Sequence, residues 1–165
     1  MSKTTNSIKK IFNLGNIEPK PRKKSQLWMK DVGFDEAPWY RERMGLRELE
    51  DFLEVADNGI DHVKITTLQV LGHPKEWLER KIKLYKKHSI QPYLDHGYFL
   101  KAFKKGKVNE AIDAAADLGF SAMEFMNSFG DIPESQVKDW CNRAINNGMK
   151  IIYEHHPESG WRKTK

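Results

Sequence analysis

The stretch MGLRELEDFLEVADNGIDHVKITT, residues 44–67, constrains the fold more than any other part of the chain. Leu46, Leu49, Phe52, Leu53 and Ala56 recur at helical spacing, with Glu48, Glu50, Asp51 and Glu54 between them, so the pattern predicts a helix with one apolar face. Asp57-Asn58-Gly59 is a stop, because Asn and Gly tolerate the left-handed backbone that ends a helix. Ile60, Val63 and Ile65 then mark a short strand. The unit is one helix followed by one strand.

The rest of the chain repeats that unit. Residues 26–30 form a candidate first strand, followed by a loop over 32–43. Pro74 opens a helix that stops near His88, since proline is tolerated in a first turn that lacks N–H partners anyway. A strand is expected over 90–94, a broken helical pair over 99–105 and 108–118, and a strand over 121–126. Pro133 and Glu134 open the last helix, Asn147-Gly148 ends it, and residues 149–153 make a fifth strand. Strict alternation predicts parallel strands joined by right-handed crossovers. The strands are apolar runs, as expected where both faces are covered.

The fold class is therefore α/β, built of parallel βα repeats. A complete eight-unit barrel needs about 250 residues, and the chain has 165. Three arrangements fit: a partial barrel whose open edges are covered by a second copy, a fragment of a longer gene, or an open doubly wound five-stranded sheet. An uncovered parallel edge invites association, so a homo-oligomer or a protecting terminal arm is expected.

Charge divides the chain. The net charge is +5, but residues 1–30 carry +7 and residues 157–165 carry +2, leaving −4 for the middle. The organisation expected is a basic arm over 1–25, an α/β domain over 26–156 and a polar tail over 157–165. With Pro19 and Pro21 and no nucleic-acid motif, the arm reads as a solvated terminus and not as a nucleic-acid interface. One cysteine, Cys141, excludes an internal disulfide and suits a reducing compartment. There is no apolar run long enough to span a bilayer and no signal-peptide pattern, so a cytoplasmic protein is expected.

Chemistry in parallel α/β folds collects at the C-terminal ends of strands. Those ends carry Asp31; Lys64, Thr66 and Thr67; Asp95 and His96; Glu124 and Asn127; and Glu154, His155 and His156. Lys64 stands out, because a lysine inside an apolar strand must face a site, a partner carboxylate or solvent. Its bland use is a salt bridge to Glu124 or Glu154. Its functional use is to face a site, with Thr66 and Asn127 as further candidate substrate-binding groups.

The organising stretch resembles the phosphosulfolactate synthase family, including its plant heat-stress-associated branch. The similarity runs on through LYKKHSIQPYLDHGYFLKAFKKGKVNEAIDAAADLGFSAMEF and DIPESQVKDWCNRAINNGMKIIYE, and covers residues 20–154 in a diverged and shortened form. The resemblance implies a barrel-like fold and a carbon–sulfur lyase that adds sulfite to phosphoenolpyruvate with magnesium, in coenzyme M biosynthesis. It implies that Lys64 binds the small anionic substrate. It also matches Asp31, Glu124 and Glu154 to family carboxylates, whose oxygens suit Mg2+. His96 is the nearest proton donor, although the family pattern does not supply it.

Where the family places glycines near the ligand, this chain places side chains: Asp95-His96 after the third strand, Asn127-Ser128 after the fourth and His155-His156 after Glu154. A second reading is a transition-metal site at His96, His155 or His156 with Asp95, Glu124 or Glu154. Adjacent histidines on a strand face opposite ways, so at most one of His155 and His156 faces a given site. A third reading is a non-catalytic binding or regulatory subunit, with Trp39, Tyr40 and Trp161 as its partner surface.

Overall fold

The computed structural model describes residues 18–24, 26–31, 44–127 and 132–154. Within these residues the elements alternate as the pattern requires. They are β1 (Trp28–Asp31), α1 (Leu46–Ala56), β2 (His62–Ile65), α2 (Thr67–Gly72), α3 (Lys75–Lys87), β3 (Gln91–Leu94), α4 (His96–Lys104), α5 (Val108–Leu118), β4 (Ala122–Met126), α6 (Glu134–Asn146) and β5 (Lys150–Glu154).

The five strands form one parallel sheet in the order β1-β2-β3-β4-β5. That sequential order has no reversal, and a doubly wound sheet needs one. The order is that of a barrel wall, here open, with β1 and β5 as its outer strands. The open-barrel expectation holds and the doubly wound alternative does not.

Local signals explain the boundaries. Helix α1 begins where the Glu48 carboxylate accepts the Gly45 N–H at 2.7 Å, satisfying a donor that the first turn leaves open. Its apolar face buries Leu49 and Leu53, and a 3-10 turn over Asp57–Gly59 ends it. Helix α5 ends at Gly119, whose φ of +92° is the left-handed conformation glycine adopts without strain.

Two elements differ from the sequence pattern. Helix α4 starts at His96, three residues earlier than the apolar spacing suggests, because Asp95 caps it by accepting the Tyr98 N–H at 3.2 Å. The short helix α2 was not expected. Its TLQVLG sequence spans too few residues to show a period.

The core lies between the sheet and a layer of helices. Met29, Val63, Ile65, Leu94, Met123 and Phe125 meet Leu49, Leu53, Ile82, Tyr85, Ile112 and Ala144. Burial of each large side chain contributes about 1.5–3 kcal/mol before entropy is counted. Alternate strand residues point to the opposite face. By register that face carries Trp28 and Lys30, His62 and Lys64, Tyr93, Ala122 and Glu124, and Ile152 and Glu154.

Part of the basic arm belongs to the body. Arg22 is buried and its Nη1 meets Asp61 Oδ2 at 2.8 Å, and the same oxygen accepts the Leu27 N–H at 2.8 Å, just before β1. Lys20 Nζ donates to the His88 carbonyl at 3.1 Å. Lys20 and Arg22 thus touch the body while residues 18, 19, 21, 23 and 24 are exposed; residues 1–17 and the tail over 157–165 lie outside the described residues, as do Trp39, Tyr40 and Trp161.

Candidate active site

Four of the residues singled out by sequence meet at the C-terminal ends of the strands. Lys64 comes from β2, Glu124 from β4, Glu154 from the end of β5 and His96 from the first turn of α4. Lys64 Nζ lies 2.7 Å from Glu124 Oε1. Glu124 Oε2 accepts the backbone N–H of His96 at 3.0 Å, and His96 Nδ1 lies 3.6 Å from the same oxygen. Glu154 Oε2 contacts the same His96 Nδ1. The salt bridge expected as the bland use of Lys64 therefore exists, and it is part of a larger cluster.

Local folding brings these groups together. Lys64 and Glu124 sit on the sheet face opposite the helix layer, and the intervening strand contributes Tyr93, whose ring centroid is 5.8 Å from Lys64 Nζ. Tyr93 was not singled out from sequence. The available signal was its register: it stands directly beside Lys64 on the neighbouring strand. His96 is swung onto the strand ends because Asp95 caps α4 and also accepts the Thr67 N–H at 3.1 Å and the Thr67 hydroxyl. Asp95 is therefore an anchor between α2 and α4.

The electrostatics follow from the packing. Burial pushes the Glu124 carboxyl up, but hydrogen bonds from His96 and Lys64 outweigh it and hold the group below its ordinary value. The hydrogen bond to Glu124 raises His96 above the usual imidazole value, against the opposing effect of burial, and Glu154 adds to the rise. Burial, reinforced by Glu124, Glu154 and Asp95, pushes the Tyr93 phenol well above its ordinary value, so it stays protonated.

Thr66 lies at the same end of the sheet. Its hydroxyl is buried and has no hydrogen-bond partner among the described residues. Asn127 is placed differently. Its side-chain amide donates to the Ile132 carbonyl at 2.8 Å and its oxygen accepts the Ile132 N–H at 3.3 Å, which ties together the two ends of the connection after β4. Both halves of the amide serve that tie.

Asp31 is not brought to this cluster. It ends β1 on the helix side of the sheet, where Lys81 Nζ and Tyr85 Oη each approach Oδ2 at 2.6 Å and Gln69 Nε2 donates to Oδ1 at 3.2 Å. Alternation along a strand decides this: Asp31 pairs in register with Ile65, whereas Lys64 faces the other way. His155 and His156 lie outside the described residues.

The donor set suits a divalent cation. His96, Glu124 and Glu154 each offer one ligand atom, and the three atoms lie within 4.8 Å of one another. Two carboxylates are the ligands expected for a hard cation, while an imidazole adds affinity for softer ones.

A family model for (2R)-phospho-3-sulfolactate synthase (ComA) matches residues 15–164. The chain belongs to this family. The phosphosulfolactate synthase of Methanocaldococcus jannaschii is 31% identical over 106 residues, which is 64% of this chain and 42% of that protein. The phosphosulfolactate synthase of Methanothermobacter thermautotrophicus is 24% identical over 135 residues, 82% of this chain and 48% of that protein. The chain thus aligns with less than half the length of each of these curated relatives. A Nostoc punctiforme debranching enzyme in its native form overlaps 78% of this chain and 47% of its own, at TM-score 0.49 and 11% identity, a likeness that bears on neither activity nor substrate. Among the described residues no helix is long and apolar enough to cross a membrane.

Proposed function

We propose that this chain carries a phosphosulfolactate synthase-type site, which adds sulfite to phosphoenolpyruvate or acts on a similar small anion. The observation that supports it most is the meeting of Lys64, Glu124, His96 and Glu154 at the C-terminal strand ends, in a chain of this family.

In this reading Lys64 binds the substrate anion. Its ammonium has three donors, so it can keep Glu124 and still offer protons to a carboxylate or phosphate oxygen. Thr66 supplies a buried hydroxyl for a substrate oxygen. The sulfur lone pair of sulfite forms a bond to the methylene carbon of phosphoenolpyruvate. The carbon–carbon π pair moves toward the carboxylate, and a proton then arrives at the phosphate-bearing carbon. Glu124 and Glu154 would hold Mg2+, with Asp31 committed elsewhere; bound there, the cation supplies positive charge against the oxygens on which charge develops. Lys64 contributes in the same sense and is fixed for it by Glu124, which lowers the cost of reorganisation. His96, the candidate donor, has Nδ1 against both carboxylates, so a cation on those carboxylates competes with the proton for that nitrogen.

The outer strands β1 and β5 also favour a homo-oligomer, which light scattering on the purified chain would detect. The activity test is a phosphorus NMR time course with phosphoenolpyruvate, sulfite and Mg2+, run beside Lys64→Ala. A sulfite-dependent phosphoester signal that disappears in the variant is the expected result. A folded protein that turns nothing over sinks the synthase reading and leaves a binding or regulatory subunit in its place.

A further inference from the structure

Glu124 and Glu154 on their own would make an all-oxygen site. His96 changes its character. Two ligands about 2.1 Å from one ion stand about 3.0–3.4 Å apart in octahedral or tetrahedral geometry. His96 Nδ1 and Glu124 Oε2 are 3.6 Å apart, close to that separation. Glu154 reaches the same nitrogen from β5. The three groups come from three separate segments, so their convergence does not follow from neighbouring positions in the chain.

The supports around these groups are those a metal site uses. The His96 main-chain N–H and the Lys64 ammonium both bond Glu124, which fixes its carboxylate from two directions. Asp95 fixes the first turn of α4 and thereby the imidazole. Nearby, the Thr66 hydroxyl is buried without a partner among the described residues, at the same end of the sheet.

We propose that His96, Glu124 and Glu154 form a mixed nitrogen–oxygen site that takes a first-row transition ion of the cobalt, iron or zinc class in preference to magnesium, with His96 as a ligand and not as the proton donor. The inference rests on the proposed site and selects among its cofactors. Imidazole nitrogen raises affinity along the first-row series, whereas magnesium favours oxygen ligands and retained water. Three protein ligands leave positions open for a substrate oxygen or water. The ion must part the His96–Glu154 contact, which a turn of the partly exposed Glu154 side chain permits.

The test is Co2+ binding to the untagged full chain, followed by visible absorption and by competition with a chelator. Expected is one Co2+ per chain with ligand-field bands that excess Mg2+ does not erase. His96→Gln should weaken Co2+ by at least about tenfold while changing Mg2+ binding little. The double variant His155→Gln/His156→Gln should keep the bands. Equal Co2+ affinity in wild type and His96→Gln, loss of the bands only in the double variant, or no Co2+ uptake by folded protein each overturns the proposal. Turnover with Mg2+ but no Co2+ site would break this inference alone. Co2+ bound through His96 without synthase turnover would break the functional reading alone.

Discussion

The two faces of the sheet each hold a cluster of charged and polar side chains, and the clusters do opposite things. On the helix side Asp31 meets Lys81, Tyr85 and Gln69. Lys81 and Asp31 have side chains with no exposure, and each ammonium proton has an acceptor in reach: Asp31 at 2.6 Å, Gln69 Oε1 at 3.0 Å and the Met44 carbonyl at 3.1 Å. On the other face Lys64, His96 and Glu154 remain 21%, 34% and 25% exposed. The residue types are nearly the same. What separates them is satisfaction and access: a closed cluster can only hold the fold, and an open one can accept a ligand.

The largest effect expected from this contrast is on stability. Lys81→Met removes the ammonium and leaves Asp31 buried with Tyr85 and Gln69 alone. Breaking a buried pair costs about 3–5 kcal/mol. The urea midpoint of Lys81→Met should fall accordingly, and the double variant Asp31→Leu/Lys81→Met should recover part of the loss, because no uncompensated charge then remains. Burial already pulls the Lys81 ammonium below its ordinary value against the attraction of Asp31, and burial with Asp31 pushes the Tyr85 phenol up. A Lys81→Met protein as stable as wild type would show that this cluster is not a structural clamp.

The second effect is on activity and reverses the pattern. Lys64→Met removes a partly exposed ammonium and leaves the buried Glu124 with the bonds it receives from His96, so the cost in stability should be smaller than that of Lys81→Met. Turnover in the phosphorus NMR assay should fall by at least about a hundredfold, the scale of losing one charge-stabilising donor. If Lys64→Met instead unfolds the protein while keeping specific activity in what remains, the two clusters are alike and the comparison fails.

These contrasts explain what was legible in the sequence. The βα order, the open parallel sheet and the residues at the strand ends follow from periodicity and punctuation, because apolar spacing and Gly stops are local signals. Lys64 was legible because a charge in an apolar run has few uses. Asp31 was placed with the site because it also ends a strand, yet alternation turns it to the helix layer and onto Lys81, 50 positions away in the chain. Asn127 was placed likewise, but its amide closes a turn onto Ile132. Strand boundaries read from sequence do not fix side-chain parity, and one residue of difference selects the face. The capping role of Asp95 was a short-range signal left unused. Its bond to Thr67, which sets α2 against α4, is a tertiary contact that no local pattern carries.

The smallest effect is a pH dependence confined to the open cluster, measured on metal-free protein. His96 is raised by its hydrogen bond to Glu124, so its contribution is fully present below the unfolded imidazole value of 6.5 and is lost as pH rises through the higher folded value. Glu124 is lowered on balance, because the bonds from His96 and Lys64 outweigh burial. Its contribution is present above the unfolded carboxyl value of 4.5 and is lost as pH falls through the lower folded value. The two overlap between 4.5 and 6.5, where the cluster should support the fold most. His96→Gln should therefore flatten the decline in the urea midpoint on the alkaline side of 6.5 and weaken the acid limb, which Lys64 then maintains on Glu124. Lys81→Met should shift the whole curve downward without removing that decline. An unchanged alkaline slope in His96→Gln would mean that the imidazole is not held as a cation by the two carboxylates, and the open cluster would then owe its arrangement to Lys64 and Glu124 alone.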